Sequence, residues 1–142
     1  MHENDEMVEN NGRVVIVTGS SKGIGKDIAK ELAINEYSVV MNAKNPSESS
    51  KAIDEVARET KEGKEIRISS IVGDISKEQT SKSLIGEAIT KFRRIDTLIN
   101  NVGISGSSKK ITDLSVNDWN EVIDTNLKSA FLCTKEALEI RI

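Results

Sequence analysis

The stretch VVIVTGSSKGIG at residues 14–25 decides the fold class of this chain. Four branched apolar residues, typical of a buried strand, lead into a glycine-rich turn, and helical periodicity begins directly after it. Gly19, Gly23 and Gly25 stand where a side chain would obstruct the turn or the approach of a ligand. A strand, a glycine turn and a helix start form a common phosphate-binding unit, because free N–H groups at a helix N-terminus attract an anion. The spacing G-x-x-x-G-x-G differs from the G-x-G-x-x-G dinucleotide fingerprint, so the triplet alone indicates no particular nucleotide.

Composition restricts the class of protein. The chain has 142 residues, a net charge of -3 from 20 basic and 23 acidic residues, and 37% hydrophobic content. These values are typical of one soluble domain. The mixed charges argue against a nucleic-acid partner, and no apolar run reaches membrane-spanning length. Residues 1–12 are predicted to be a mobile acidic tail rather than a secretory signal, and residues 13–142 to form the domain.

The single cysteine and the single histidine exclude several chemistries. Cys133 has no partner for an internal disulfide, which fits a reducing cytoplasm, the location that we predict. His2 lies in the tail, so histidine-based metal sites and Ser-His-Asp hydrolysis are excluded. Because no histidine base accompanies it, we interpret Cys133 as a buried structural thiol rather than a nucleophile.

The remainder of the chain alternates short apolar runs with helical periodicity. Strands are predicted over 13–18, 37–43, 65–73 and 95–100, and helices over 23–35, 47–62, 76–92 and 116–141. Four successive strand–helix units without a hairpin signal predict a doubly wound parallel α/β sheet with helices on both faces.

Individual residues are expected to shape these helices. The predicted buried stripe of the first helix is Ile24, Ile28 and Leu32. Asn45-Pro46-Ser47 is predicted to start the second helix, which we expect to stop near Gly63, and Ser76 to cap the third.

Four segments resemble the signatures of the short-chain dehydrogenase/reductase family. They are Thr18 to Gly25, similar to its TGxxxGIG turn; Gly73 to Ser76, similar to its adenine-contacting aspartate segment; Asn100 to Gly103, similar to its NNAG motif with valine in place of alanine; and Asp124 to Leu127, similar to the segment with its active-site asparagine. The resemblance covers residues 13–142. It implies a Rossmann-type sheet of strand order 3-2-1-4, and an enzyme that transfers a hydride between a nicotinamide cofactor and a small carbonyl or alcohol substrate.

The resemblance also implies which residues bind the cofactor. These are Thr18, Gly19, Ser21, Lys22, Gly23, Ile24 and Gly25 at the pyrophosphate turn, Asp74 and Ile75 beside adenine, and Asn101 and Gly103 on the ribose and nicotinamide side. A nucleotide-hydrolysing P-loop is excluded, because Asp27 follows Gly25-Lys26 where that loop requires Ser or Thr.

The end of the second strand favours NADP(H) over NAD(H). An acidic residue there would bind the ribose 2′-hydroxyl and repel a 2′-phosphate, but Ala43 occupies the position that resembles the family's aspartate. Lys44 follows it, and Lys22 stands where NADP users of the family often carry a basic residue. Two ammonium groups near one point favour a phosphate.

Asn126 is the one catalytic-site residue that we predict. Helical spacing places it on an apolar face with Trp119, Cys133 and Ala137, so its amide requires partners, either a loop or a buried water. The resemblance implies membership of the catalytic tetrad, where the asparagine helps to hold a water linked to the active-site lysine.

The family's other tetrad members have no match in this sequence. They are a serine and a tyrosine four residues before a lysine, whereas the only tyrosine here, Tyr37, has Met41 four residues on. The chain is therefore predicted to be an incomplete reductase domain, truncated before the fifth strand, with little or no reductase activity alone.

A second apolar face on the last helix, formed by Ile123, Leu127, Phe131 and Leu138, predicts a homo-oligomer through residues 116–141. Two alternatives stay open. One is a non-catalytic NADP(H)-binding or sensing module, and the other is a fold that self-associates without binding a ligand. The substrate is not predicted.

Overall fold

The computed structural model describes residues 12–60 and 67–141. Its elements are β1 (Val14–Val17), α1 (Gly23–Ile34), β2 (Ser38–Ala43), α2 (Pro46–Glu59), β3 (Ile68–Val72), α3 (Glu78–Phe92), β4 (Thr97–Ile99), α4 (Val116–Ile123) and α5 (Ser129–Arg141). A 3-10 turn at Ile111–Asp113 precedes α4, and a π-helical turn at Asp124–Lys128 joins α4 to α5. The predictions for residues 1–11, for the end of α2 near Gly63 and for the first two residues of the 65–73 strand lie outside the described residues.

The four strands form one parallel sheet in the order β3-β2-β1-β4, which confirms the predicted topology. Val15 of β1 lies opposite Val39 of β2 on one side and Thr97 of β4 on the other. The strand order reverses between β1 and β4, and the loops after the carboxyl ends of all four strands meet at one edge. That edge is where doubly wound sheets bind their ligands.

Helices cover both faces of the sheet, and this is why β1 is buried along its whole length. On one face, Val14 and Ile16 pack in a cluster with α3 and α5 that includes Leu84 and Cys133. On the other face, alternate strand residues pack against α1 and α2, whose core contributions include Ala29, Ala33, Ala52 and Val56. No described helix is both long enough and apolar enough to span a bilayer.

The predicted buried stripe of α1 is wrong by one residue. Ile24 is 73% exposed, and the buried positions are Gly25, Ala29 and Ala33. The helix lies so close to the turn after β1 that only small side chains fit on its innermost line, and Ile28 and Leu32 pack beside that line rather than on it.

The start of α2 is as predicted, but the start of α3 is not. The Asn45 side chain caps α2 by accepting a hydrogen bond from the Ser47 backbone N–H at 2.9 Å. Ser76 does not cap α3: the helix begins at Glu78, its N-cap residue is Lys77, and the Ser76 N–H and hydroxyl both donate to Asp74 Oδ1, at 3.0 and 2.7 Å. An aspartate side chain that accepts from the residue two positions on forms a local turn, so Ser76 belongs to the turn before the helix.

The predicted helix over 116–141 is interrupted by the π turn at Asp124–Lys128. A π turn contains more residues than an α turn, so a face drawn at α-helical spacing does not continue through it. Cys133 and Ala137 are buried as expected, whereas Trp119, placed on the same face by sequence, is 62% exposed.

Candidate functional site

A cavity of ≈ 730 Å³ opens at the carboxyl ends of the strands. This volume falls within the range of small-molecule sites, about 300–1,000 Å³. Many of the predicted cofactor-binding residues line it: Gly19, Ser21, Lys22, Lys44, Asp74, Ile75, Asn101 and Gly103. Thr18, Gly23, Ile24, Gly25 and Asn126 are not part of its wall.

The glycine turn brings β1 and α1 unusually close together. Gly19 has a φ of 58°, and a Cβ on it would lie 2.8 Å from Val102 Cγ2. A Cβ on Gly25 would lie 2.3 Å from the Gly19 carbonyl oxygen and 2.5 Å from Asn101 Nδ2. Any larger residue at Gly25 would therefore push α1 away from the turn.

The N-terminus of α1 has free hydrogen-bond donors beside this cavity. Its N-cap is Lys22, which lines the cavity and provides no side-chain cap, and the first turn of the helix contains no acidic residue. The first N–H groups of a helix have no partner within the helix, and they carry its positive dipole end. The arrangement suits an anion at this point.

Thr18 and Asn101 hold the loops after β1 and β4 together. The buried Thr18 Oγ1 accepts hydrogen bonds from the backbone N–H groups of Asn101 and Val102, at 3.0 and 3.3 Å. Asn101 Nδ2 in turn donates to the Gly19 carbonyl at 3.0 Å. Thr18 thus supports the wall of the cavity from behind, and the Asn101 amide group is occupied by the turn.

Charged groups lie at the end of the cavity next to β2 and β3. The Lys44 ammonium, on a side chain that is 80% exposed, lies 3.8 Å from Asp74 Oδ2. Burial alone would raise the pKa of Asp74, but the two hydrogen bonds from Ser76 and the charges of Lys44 and Lys77 outweigh it, so this pKa is lowered. Glu48, in the first turn of α2, adds a second carboxylate to this end.

Of the predicted cofactor-binding residues, Ile75 and Ile24 offer little side-chain contact to a ligand in the cavity. The side chain of Ile75 is 4% exposed and packs in the core, so a ligand can reach little of it beyond its backbone. Ile24 presents an exposed side chain on the first turn of α1, outside the cavity wall.

Asn126 lies in the π turn and holds the loop after β4. Its Oδ1 accepts from the Ile104 N–H at 2.7 Å, and its Nδ2 donates to the Ile104 carbonyl at 2.8 Å. The sequence left open whether a loop or a buried water satisfies the Asn126 amide, and in the structure its partner is the loop residue Ile104. Asn126 therefore fixes Gly103 and Ile104, which line the cavity, and π turns recur at functional sites.

Sequence reasoning missed several lining residues. Asn42 could have been noticed, because an asparagine within a run of branched apolar residues is unusual in a strand and must find partners when buried. Glu48, Glu121 and Thr125 carried no such signal, since only the packing of their helices brings them to the cavity.

The described residues support neither a metal site nor a reactive thiol. No group of three or more His, Cys, Asp or Glu side chains is arranged there to hold a metal ion. Burial, with a smaller contribution from Glu136, raises the pKa of Cys133 to about 11, so this thiol is protonated at neutral pH.

A parallel sheet with reversed strand order, a glycine turn and a cavity at its carboxyl edge together define an α/β protein of the Rossmann type. The family model for short chain dehydrogenases matches residues 13–141, and the chain belongs to this family.

Similar proteins agree with this assignment. The chain is 36% identical over 128 residues to glucose 1-dehydrogenase 2 of Bacillus subtilis, a match covering 89% of this chain and 48% of that protein. A crystal structure of a short chain dehydrogenase from Bacillus anthracis is 30% identical with a TM-score of 0.81, covering 92% of this chain and 52% of that one. A variant of actinorhodin polyketide ketoreductase, solved with NADPH, is 25% identical with a TM-score of 0.82, covering 92% and 48%. The chain spans about half the length of the curated relatives it matches.

Proposed function

We propose that this chain is the cofactor-binding part of a short-chain oxidoreductase, and that it binds NADP(H) in preference to NAD(H). The whole protein would transfer a hydride between this cofactor and a small carbonyl or alcohol substrate. Family membership favours an oxidoreductase over a non-catalytic sensing module. The observation that carries the proposal is the uncapped N-terminus of α1, held by Gly19 and Gly25 against a cavity large enough for a nucleotide.

In this proposal a dinucleotide would run along the cavity from one end to the other. The backbone of the turn, with Ser21, would hold the pyrophosphate, and Asp74 with the backbone of Ile75 would flank adenine. Asn101 and Gly103 would border the ribose and nicotinamide. When bound, the nicotinamide supplies or accepts the hydride, while this chain binds it and excludes water from one side.

The preference for NADP(H) depends on Lys22, Lys44 and the lack of an acid at Ala43. The Lys44–Asp74 ion pair is long and exposed, and such pairs are worth about 0–1 kcal/mol, so a 2′-phosphate can readily recruit the Lys44 ammonium. A phosphate between two ammonium groups gains charge-assisted hydrogen bonds that a hydroxyl does not. The NADPH in the similar ketoreductase is consistent with this preference.

Two further proposals concern the whole protein. Asn126 would act as the family's tetrad asparagine, and the 142-residue chain alone would have little reductase activity, because its sequence has no tyrosine four residues before a lysine. Leu127, Phe131 and Leu138 are 64%, 61% and 53% exposed, and we propose that this face pairs with a second copy of the chain.

Calorimetric titration with NADPH and NADH tests the cofactor proposal. We expect NADPH to bind about tenfold more tightly or better, and Lys22→Ala and Lys44→Ala each to reduce that ratio severalfold. Lys51→Ala, on the exposed side of α2, is the matched control and should leave the ratio unchanged. Equal affinities for the two cofactors would refute the preference, and the lack of any heat at millimolar concentrations would refute cofactor binding itself.

A further inference from the structure

We propose that Asn42, at the end of β2, is a positioning residue that sets the glycine turn relative to the adenosine end of the cavity. It acts with Ser20, and we call these two residues the Asn42–Ser20 pair. The inference rests on the proposed function, since it concerns how the cavity fits a dinucleotide.

The side chain of Asn42 connects three strand ends. It is only 2% exposed; its Oδ1 accepts from the Gly19 N–H at 3.2 Å, and its Nδ2 donates to the carbonyls of Ile71 and Gly73 at 3.2 and 3.3 Å. An N–H on one side and two carbonyls on the other fix the orientation of the amide. Every donor on this side chain is used, as expected of a buried polar group.

The backbone of Asn42 is bound to Ser20 in both directions. Ser20 N–H donates to the Asn42 carbonyl at 2.8 Å, and Asn42 N–H donates to Ser20 Oγ at 2.9 Å. The Ser20 hydroxyl donates in turn to the Val17 carbonyl at 2.9 Å. Ser20 is fully buried, so water does not compete for these hydrogen bonds.

This pair lies between the two ends of the cavity. On one side, Ser20 continues into Ser21 and the rest of the turn, at the end assigned to the pyrophosphate. On the other side, Asn42 continues into Ala43 and Lys44, at the end assigned to the adenosine ribose. The pair therefore sets the separation of two subsites that one dinucleotide must occupy together, and small displacements matter when a ligand bridges both.

A comparison of two ligands separates this positioning role from a general effect on folding. NADP⁺ spans both ends of the cavity and uses the backbone of the turn, whereas adenosine 2′-monophosphate has no pyrophosphate and occupies only the adenosine end, where the long, exposed Lys22 side chain reaches its 2′-phosphate without fixing the turn backbone. We expect Asn42→Ala to weaken NADP⁺ binding about tenfold or more while changing the affinity for adenosine 2′-monophosphate less than about threefold. Calorimetry measures both affinities, with thermal unfolding recorded for each variant.

Two more variants complete the experiment. Ser20→Ala removes one hydroxyl from the pair with little change in volume, and should produce the same selective loss even if Asn42→Ala fails to fold. Val39→Ala lies on the same strand with its side chain in the core, and should lower stability without altering the ratio of the two affinities.

The outcomes are distinct. A selective loss for NADP⁺ in the variants of the pair supports the inference. If the wild-type chain binds NADP⁺ but the ratio of its affinities for the two ligands is unchanged in both variants, the inference is overturned while the proposed function stands. If the wild-type chain binds neither ligand at millimolar concentration, the proposed function fails and the inference fails with it.

Discussion

Gly25 illustrates how a missing side chain determines the geometry of this site. In Gly25→Ala, the new methyl group would lie 2.3 Å from the Gly19 carbonyl oxygen, so α1 must move away from the turn. We expect this variant to lose about 1–3 kcal/mol of stability and to bind NADP⁺ at least about tenfold more weakly. Urea unfolding and calorimetry measure the two effects.

Gly86 supplies the matched control, because it lies inside α3 and a methyl group on it would meet no atom of another element within 4 Å. Gly86→Ala should stabilise the protein by about 0.5–1 kcal/mol and leave NADP⁺ binding unchanged. Equal behaviour of the two variants would contradict the argument that close approach, rather than glycine flexibility, explains Gly25.

Ser38 carries a buried hydroxyl that has no hydrogen-bond partner within the described part of the chain. Removing an unpaired buried polar group relieves its desolvation cost, so Ser38→Ala should be neutral or stabilising by up to about 1 kcal/mol. The control is Ser49→Ala, which removes a hydroxyl bonded to Ser70 Oγ at 3.0 Å and should cost about 1 kcal/mol. Thermal and urea unfolding of both variants check the order of stability, and a destabilised Ser38→Ala would contradict it.

Asp96 connects the start of β1 to the segment before β4. Its carboxylate accepts from the Val14 N–H at 2.8 Å and forms two hydrogen bonds with Arg94, at 2.8 and 2.6 Å. Burial alone would raise the pKa of Asp96, but the hydrogen bonds from Arg94 and Val14 outweigh burial and lower it. A carboxyl with a lowered pKa in the folded state stabilises the fold above its unfolded pKa, and this stability is lost as pH falls through the folded value.

We therefore expect Asp96→Asn to be about 1 kcal/mol less stable than the wild type at pH 7. The difference should begin to shrink below about pH 4, where the carboxyl of the unfolded chain becomes protonated, and should continue to shrink as pH falls through the lower pKa of the folded state. Urea unfolding across pH 3–7 measures it, with Asp54→Asn on the exposed face of α2 as control. A difference that does not vary with pH would show that the charge of Asp96 contributes nothing.

At the level of the elements, the sequence predicted strands and helices best where the residue pattern lies within a single segment of the chain. Strand–helix alternation predicted all four strands and their parallel pairing, because strands joined by helices allow few arrangements, whereas the strand order followed from the resemblance to the family. The stripe of α1 was misplaced because the closeness of Gly25 to Gly19 depends on tertiary packing. The residue types at Asp124–Lys128 did not indicate a π turn. Ser76 was mispredicted as a helix cap, because its hydroxyl donates to the nearby Asp74 carboxylate in the turn before the helix.

For the site as well, the residues set by local sequence patterns were predictable and those set by tertiary contacts were not. Motif residues such as Gly19, Lys22 and Asp74 do line the cavity, since their spacing after each strand fixes where they lie. The role of Asn42 was not predictable, because its three side-chain partners come from the loop after β1 and from β3 and the residue that follows it. Such contacts exist only once the sheet has formed.

At the scale of the whole molecule, the exposed apolar face of the π turn and α5 predicts self-association. We expect the wild-type chain to be dimeric at tens of micromolar and Phe131→Glu to be monomeric, because a buried interface does not tolerate an unpaired charge. Val72→Glu, a partly exposed apolar residue on the strand at the opposite edge of the sheet, is the control and should remain dimeric. Light scattering coupled to size exclusion measures the mass, and a monomeric wild type would refute the proposal.

The cavity at the carboxyl edge of the sheet is proposed to bind a nicotinamide dinucleotide. A titration of the ¹⁵N-labelled chain with NADP⁺, followed by amide chemical shifts, tests it most directly. We expect shift changes concentrated at the glycine turn and at Lys44, Asp74, Asn101 and Gly103. Unchanged spectra at millimolar NADP⁺, or changes confined to residues outside the cavity, would contradict it.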